Sequence, residues 1–355
     1  MPLHRLVSRS LTAALALPLL VLLSGCLDKE KIATVPDAEN QLFTSDGRLI
    51  VTGGDGVFEI KRTATGYSAE RIASEAGTCN HTGLAQMGAW VFTACQQRPN
   101  GLFGAVDNHL LAAQVIAGQP LRFIEVDRPS PDPMDSLAIP NGLAVTPNGR
   151  LLLADFNLLL PAGVARLAID TSGTRPRLTS FEKNWLAWQH GIYHPNGVRV
   201  LGQELFVSDI TFVKRYQFDA AGNVPLAVPA PGGRTVRNEV LVYQGATVLD
   251  DIQPLCGGVA INDYAGGRLV YMAPNGLDSN GLPTYRQAAA SGLQSLQQPS
   301  SVQIGRAPLF SGRDVLVTEK GVLGDLSSDY GNKFTRVKSS VDLSDPSGCA
   351  VLNSN

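Results

Sequence analysis

Charged residues are scarce in this chain, and neither sign dominates. They make up 17% of the 355 residues, with 29 Lys and Arg against 31 Asp and Glu, so the formal net charge is −2. A nucleic-acid partner needs a basic surface, which this balance does not supply, and we expect no nucleic acid to bind. Hydrophobic residues reach 44%, which indicates a well-buried globular protein.

Several catalytic signatures are also missing. No C-x-x-C pair occurs, so a zinc or thiol redox motif has no support. Ser300 and Ser301 have no histidine and acid at a recognisable triad spacing. The glycines at 53, 54 and 56 open no helix and so form no phosphate loop. No strong amphipathic helix is predicted, whereas 36 Gly and 22 Pro supply the many turns of an all-β chain.

The first 25 residues carry the features of an export signal. Arg5 and Arg9 give a positive start, and the apolar run over residues 11–23 is short for a membrane span. The run ends in Leu-Ser-Gly-Cys, which resembles a bacterial lipobox. The resemblance implies that residues 1–25 are a lipoprotein signal peptide and that Cys26 is lipidated. An ordinary cleaved signal followed by a chance cysteine is the alternative.

The residues after the cleavage point set the expected location. Several acyl chains on one residue anchor a protein stably, whereas one chain gives marginal binding. Leu27, rather than Asp, follows the cysteine, and by the sorting rule known for such lipoproteins this indicates the outer membrane. We expect residues 26–37 to form a lipidated tether that holds the protein in the periplasm.

Four further cysteines are candidates for disulfides, because an exported protein meets an oxidising compartment. Cys79 and Cys95 are symmetric about a plausible hairpin turn at Met87 and could face each other across two strands. That pairing leaves Cys256 with Cys349, which would tie the C-terminal tail to the body. Four buried thiols are the alternative.

A hairpin pattern over residues 139–156, IPNGLAVTPNGRLLLADF, recurs along the chain. A Pro-Asn-Gly turn leads into an apolar run, a second turn reverses the chain, and another apolar run follows. Related patterns begin near residues 39, 81, 196, 250 and 300, spaced 42 to 60 residues apart. A period of this size around a hairpin is typical of propeller blades. The sequence predicts an all-β, six-bladed β-propeller over residues 38–355, including a C-terminal tail.

The residues at the start of each hairpin form the candidate site. The first strand of each blade lines the central channel of a propeller, so the loops that lead into these strands converge at one face. These six positions carry mostly oxygen donors: Glu39, His81 or Thr82, Asn141, Asn196, Asp250 or Asp251, and Ser300. Carboxylate and amide oxygens around an axis suit a hard divalent cation, above all Ca²⁺, and argue against zinc.

Four stretches resemble the regucalcin/gluconolactonase family, whose relatives include the paraoxonases and the diisopropyl-fluorophosphatase type. They are AENQLFTSDG at 38–47 and residues 140–155, 194–209 and 249–273. These proteins are six-bladed propellers in which a Glu of blade one, an Asn of blades three and four and an Asp of blade five bind a catalytic Ca²⁺.

The resemblance implies a ligand set and a reaction. It implies that Ca²⁺ or another divalent cation is held by Glu39, Asn141, Asn196 and Asp250. It further implies hydrolysis of a small lactone or ester, with the metal polarising the carbonyl group.

Blade five departs from the pattern. In blades three and four the mouth asparagine lies ten and nine residues before the second strand of the hairpin. The same count back from Leu269, taken as the start of that strand in blade five, reaches the neighbours of Gly258 and not Asp250. We therefore expect glycine at the fifth ligand position, unless an insertion lets Asp250 or Asp251 reach the site. Loss of the acid would put both the metal and the activity in doubt.

Three residues are candidates for moving the proton. Asp250 is the natural general base or nucleophile as well as a ligand, and Asp251 and His81 are the further candidates. A hydrogen-bonded structural role is the alternative for His81, and a simple turn role is the alternative for the two Asn-Gly pairs. Asp155 and Asp209 end their strands and are expected to bind the backbone.

Together these features predict a monomeric, lipid-anchored propeller that hydrolyses a small lactone or ester. A non-catalytic propeller that binds a ligand or protein at the cell envelope is a rival from another class, because a fold alone does not give a function. A relative of strictosidine synthase, with the same fold and no need for the metal ligands, is a third. The substrate stays open, because specificity lies in the loops over the mouth.

Overall fold

The computed structural model of this protein contains six sheets arranged as blades around a central channel. The predicted six-bladed β-propeller is therefore confirmed. The structure describes residues 28–99, 105–322 and 324–354. The predicted signal peptide and Cys26 lie outside the described residues. Among the described residues, no helix is long and apolar enough to cross a membrane.

The strands of each blade follow one another from the channel outwards. Blade one contains β2 (Gln41–Phe43), β3 (Leu49–Gly53), β4 (Gly56–Arg62) and β5 (Tyr67–Arg71). Blade two contains β7 (Asn80–Met87), β8 (Trp90–Pro99), β9 (Ala105–Gln114) and β10 (Arg122–Glu125), with the short β6 (Ala73–Ser74) outside. Blade three contains β11 (Ile139–Val145), β12 (Leu151–Phe156), β13 (Val164–Asp170) and β14 (Arg177–Leu186).

The other three blades carry the insertions and the closure of the ring. Blade four contains β15 (Pro195–Leu201), β16 (Glu204–Asp209), β17 (Phe212–Gln217) and β20 (Val240–Gln244), and a hairpin of β18 (Ala227–Ala230) and β19 (Arg234–Arg237) is inserted. Blade five contains β21 (Leu249–Leu255), β22 (Gly258–Asp263), β23 (Arg268–Leu277) and β24 (Pro283–Ala290). Blade six contains β25 (Pro299–Ile304), β26 (Asp314–Gly321), β27 (Gly331–Lys338) and β1 (Lys29–Thr34).

Helical structure is sparse within the described ranges. Single 3₁₀ turns occur at Pro133–Ser136, Trp188–His190 and Pro231–Gly233, and the C-terminal tail ends in helix α1 (Pro346–Ser354).

The chain closes the ring by pairing its first described strand with its last. Strand β1 is the outermost strand of blade six and lies antiparallel to β27, with Lys29 opposite Val337 and Thr34 opposite Lys333. The prediction of a tether over residues 26–37 is therefore wrong for Lys29–Thr34. The sequence reasoning missed this strand because it is charged and mostly exposed, so no apolar alternation marked it.

Apolar layers between neighbouring blades hold the ring together. Six clusters of buried side chains are present, and each joins two adjacent blades, including the pair formed by blades six and one. Inner strands contact each other in ring order, from β2 through β7, β11, β15, β21 and β25 back to β2. Burying one Leu or Phe side chain stabilises a protein by about 1.5–3 kcal/mol, so the layers make the blades mutually dependent.

Both predicted disulfide pairings are confirmed. Cys79 is bonded to Cys95 across strands of blade two, and Cys256 is bonded to Cys349. The second bond attaches the C-terminal tail, with its helix α1, to the turn between β21 and β22. Because a bonded cysteine has no free thiolate, the neighbouring Cys79, His81 and Cys95 do not form a metal site in this state.

A β-bulge recurs at the start of the inner strands and explains the repeated hairpin pattern. The pairing of the first two strands shifts register between Pro140 and Leu143 in blade three, and between Pro195 and Val198 in blade four. The same shift occurs in blades two, five and six. A bulge leaves residues out of the ladder and re-aims their side chains, so one residue per blade turns toward the channel mouth.

Glycine follows the mouth residue in blades two to four because the blades approach closely there. A Cβ atom on Gly142 would lie 2.8 Å from the main-chain oxygen of Asn196, and one on Gly83 would overlap the main-chain oxygen of Asn141. Neither glycine has a positive φ. The Asn-Gly pairs at Asn141 and Asn196 are thus bulge residues within strands, and the alternative that they serve only as turns is wrong.

We expect Gly83→Ala to destabilise the protein by about 1–3 kcal/mol, because the new methyl group must push two blades apart. The free energy of unfolding from denaturant titration measures this. Gly292→Ala is the matched control, since a Cβ there meets no atom within 4 Å. Equal stabilities of the two variants would contradict the close-approach explanation.

Candidate metal and substrate site at the channel mouth

A pocket of about 550 Å³ opens at the end of the channel where the inner strands begin. Its floor is polar and is formed by residues of several blades, which include Asp37, Glu39, Asn141, Asn196, Asp250 and Lys320. Its wall is largely apolar and includes Ile139, Phe156, Leu158, Val248 and Leu326. A cavity of this size, with a polar floor and apolar walls, matches the usual form of a small-molecule site.

All four predicted metal ligands line this pocket and are buried: Glu39, Asn141, Asn196 and Asp250. The amide of Asn141 donates to Oδ1 of Asn196 at 2.5 Å, and Nδ2 of Asn196 donates to the Leu249 carbonyl at 3.1 Å. Asn141 also hydrogen-bonds the Glu39 carboxylate. The structure therefore brings side chains from four blades to one place.

The expectation of glycine at the fifth ligand position is wrong. The innermost strand of blade five is Leu249–Leu255, and its partner begins at Gly258, so Leu269 belongs to the third strand. Asp250 lies in the bulge between Leu249 and Ile252. It is nine residues before Val259, which matches the spacing in blade four. The sequence count failed because it started from the wrong strand.

Sequence reasoning missed two charged residues of the site, Lys320 and Asp37. The Lys320 ammonium donates to Oε2 of Glu39 and lies 3.5 Å from Oδ1 of Asp37. For Lys320 a signal was present in the repeat: the second strands of blades three to six carry an acid near their end, and in blades three, five and six the next residue lines the pocket. Phe156 and Tyr264 hold the same position in blades three and five.

Burial and charge repulsion dominate the electrostatics of the floor. Burial raises the pKa of Glu39, although the Lys320 ammonium opposes the shift. Burial and the Glu39 carboxylate raise the pKa of Asp250 well above its ordinary value. Burial disfavours the charged form of Lys320, but the Glu39 and Asp37 carboxylates outweigh it and raise the pKa of that group. Three carboxylates thus face one ammonium.

The donor set fits a hard divalent cation. Two carboxylates and two amide side chains supply oxygen atoms, and Oδ1 of the buried Asp37 accepts no hydrogen bond. Three formal negative charges and one positive charge leave an excess that a doubly charged ion would neutralise. Glu39, Asn141, Asn196 and Asp250 are the residues that would hold it.

Asp251 does not reach the pocket, in contrast to its predicted catalytic role. Its carboxylate pairs with Arg199 inside the channel and accepts a hydrogen bond from Asn40 at 3.0 Å. Arg199 also donates to Oδ1 of Asn40 at 3.0 Å and to the Leu143 carbonyl at 3.0 Å. Adjacent bulge residues point to different depths of the channel, so only Asp250 lines the mouth. Asp251 is a structural ion-pair partner.

His81 does not line the pocket either, so its predicted proton-handling role is not supported. Its ring is fully buried and packs near Phe123, with ring centroids 6.5 Å apart. The mouth position of blade two belongs to Thr82, whose hydroxyl donates to the Pro140 carbonyl at 2.8 Å. Ser300, at the mouth position of blade six, donates to a main-chain carbonyl at 2.7 Å.

Asp155 and Asp209 bind the backbone as expected. Oδ1 of Asp155 accepts from the main-chain nitrogens of residues 138 and 139 at 2.7 and 3.0 Å. The Asp209 carboxylate accepts from those of residues 193 and 194 at 2.7 and 3.0 Å. These carboxylates fix the loops that lead into the mouth residues of blades three and four.

No protein-family profile and no curated protein sequence matches this chain. Solved structures with a similar fold include luciferin-regenerating enzyme, with a TM-score of 0.54 and 13% identity over 89% of this chain and 98% of that one. A glucose dehydrogenase has a TM-score of 0.51 and 12% identity over 88% and 99%. A gluconolactonase from Xanthomonas campestris has a TM-score of 0.48 and 13% identity over 87% of each chain. At these identities the first two similarities show the fold alone.

We expect the stability of the protein to fall as the pH drops from about 6.5 toward 4. Burial lowers the pKa of His81 to about 4, so the folded state resists a proton that the unfolded state accepts at 6.5. The loss is roughly 1 kcal/mol per pH unit. Denaturant titrations of wild type and His81→Leu at pH 7.5 and pH 5 measure it.

The variant should lose less stability than wild type over this pH range. His109→Leu is the control for loss of an imidazole elsewhere, because His109 lies in β9 of the same blade, two strands away from β7. An identical pH dependence in wild type and His81→Leu would contradict a neutral buried His81.

Proposed function

We propose that the pocket binds a divalent cation of the Ca²⁺ type and hydrolyses a lactone or ester. The observation that carries the proposal is the convergence of Glu39, Asn141, Asn196 and Asp250 from four blades on one pocket floor. The excess of negative charge on that floor supports a cation, and the cavity above it is large enough for a small substrate.

Each part of the pocket has a role in this reaction. The bound cation would polarise the substrate carbonyl and make a water molecule more acidic. An Asp250 carboxylate oxygen would accept the proton of the attacking water, because this side chain lines the pocket beside the proposed cation position. Phe156, Leu158 and Leu326 would hold the apolar part of the substrate and exclude bulk water.

The rival functions are compatible with the same fold, but they do not require the cation ligands of the pocket floor. A ligand-binding propeller, or one resembling strictosidine synthase, needs no set of cation ligands. The glucose dehydrogenase among the similar structures also means that the fold does not select one chemistry. The four converging oxygen donors are what favour the hydrolase over these alternatives.

We expect the purified protein to contain a divalent metal and to hydrolyse lactones or aryl esters until a chelator removes the metal. Asn196→Ala and Asp250→Asn should lower hydrolysis by about 100-fold or more. Mutation of residues that only hydrogen-bond a metal ligand already lowers metal affinity or activity by about 10- to 100-fold. Metal analysis and a substrate screen with chelator and Ca²⁺ add-back measure both effects.

Asn148→Ala is the matched control, since this asparagine lies at the turn between β11 and β12, at the opposite end of the blade. Unchanged metal content and hydrolysis in Asn196→Ala would overturn the proposed site. Tight binding of a small molecule without any turnover would favour the non-catalytic alternative.

The location at the cell envelope is a further part of the proposal. Strand β1 begins at Lys29, opposite Val337 at the end of blade six that is remote from the pocket. The three residues from Cys26 to Lys29 span at most about 11 Å. A lipid on Cys26 would therefore hold the face opposite the pocket against the membrane and leave the pocket open to the periplasm.

We expect wild-type cells to incorporate labelled palmitate into this protein and to retain it in the outer-membrane fraction. Cys26→Ser should abolish both, because the acyl chains would have no attachment point. Cys256→Ser is a matched control, since it removes a cysteine elsewhere and keeps the lipobox. A Cys26→Ser protein that is labelled and sediments like wild type would contradict the anchor.

A further inference from the structure

Lys320 supplies a positive charge inside a floor of acids. Of the described residues that line the pocket, it alone carries a cationic side chain. Its side chain is 6% exposed, and its main-chain nitrogen donates to the Gln298 carbonyl at 3.0 Å at the end of β26. The strand therefore fixes the backbone of Lys320 at the floor, and its buried side chain places the ammonium among the carboxylates.

The ammonium and a metal ion would compete for the same carboxylate. Lys320 donates to Oε2 of Glu39, which is also a ligand of the proposed cation site. An oxygen that is paired with an ammonium is not available to a divalent ion, and two adjacent cations repel each other. Coordination of a metal through Oε2 of Glu39 therefore requires the Lys320–Glu39 contact to break, and coordination through Oε1 places the two cations on one carboxylate.

Asp37 offers the ammonium a second partner. Its Oδ1 lies 3.5 Å from the Lys320 ammonium and accepts no hydrogen bond, although it is buried. The backbone holds Asp37 at a positive φ of 47°, and its nitrogen donates to Oδ1 of Asn332 at 2.5 Å. This hydrogen bond fixes the backbone of Asp37 beside the pocket and keeps its carboxylate near the Lys320 ammonium.

We propose that Lys320 is a built-in competitor of the metal, which releases Glu39 and moves to Asp37 when the metal binds. Its side chain sets the metal affinity of the pocket and neutralises Glu39 while no metal is bound. This inference rests on the proposed function, because it assumes that Glu39 is a metal ligand. It assigns Lys320 and Asp37 roles that neither the repeat pattern nor the family resemblance implies.

Calorimetric titration of chelator-treated protein with calcium chloride tests the proposal. Lys320→Met should bind Ca²⁺ about tenfold or more tightly than wild type, which corresponds to about 1.4 kcal/mol. Asp37→Asn should bind it more weakly, because the displaced ammonium loses its partner. The double variant Lys320→Met/Asp37→Asn keeps the net charge of the pocket and should still bind more tightly than wild type.

The double variant separates competition from a simple effect of net charge. If only net charge mattered, the double variant would bind Ca²⁺ as tightly as wild type, and this result would overturn the proposal. Lys333→Met is the control, because this partly buried lysine of the same blade donates to Gln297 and not to the floor. Thermal unfolding with chelator and with Ca²⁺ confirms that each variant is folded, and Ca²⁺ should raise the melting temperature of Lys320→Met more than that of wild type.

The outcomes also distinguish this inference from the proposed function. Equal Ca²⁺ affinity of wild type and Lys320→Met would overturn the competitor role and leave the hydrolase proposal standing. Binding by Lys320→Met alone would support the competitor role and overturn a metal-dependent wild-type enzyme. Absence of binding in every variant would overturn both.

Discussion

The pairing of β1 with β27 is the constraint on which the rest of the structure depends. It joins the first described strand to the last blade and so completes six interfaces of buried apolar side chains. A ring of blades has a channel only if it is closed, and the channel mouth is where residues far apart in sequence meet. The charge of β1 also protects the outer edge of blade six from pairing with another chain.

The recurring bulge turns that closed ring into a site. One residue in each affected blade leaves the ladder at the same depth, and glycine at the following position in blades two to four lets neighbouring blades approach. The chemistry of the floor is therefore set by the type of residue that occupies this one position in each blade. Oxygen donors occupy it in blades one, three, four and five, whereas Thr82 in blade two bonds the backbone.

Buried charges lie at two depths of the channel. The charges at the deeper level balance each other, whereas those at the mouth do not. Deeper in the channel, Asp251 and Arg199 neutralise each other and join Asn40 in a buried network. At the mouth, Lys320 neutralises only one of three carboxylates. A buried excess of negative charge is costly unless a cation offsets it, which favours the mouth over the deeper layer as the place for the proposed cation.

The sequence by itself determined the six-fold hairpin repeat and favoured the two disulfide pairings, because turn residues and cysteine positions recur at a readable spacing. Its spacing also marked Glu39, Asn141 and Asn196, whereas Asp250 rested on the family resemblance, against the residue count in blade five. The tertiary structure decided the rest. The pairing of β1 depends on a partner strand about 300 residues away, and the true register of blade five depends on which strands pair. Burial and neighbouring charges separate Asp250 from Asp251, remove His81 from the mouth and bring Lys320 to Glu39. These are properties of packed neighbours, and of them only the position of Lys320 after a strand-end acid had a signal in the sequence.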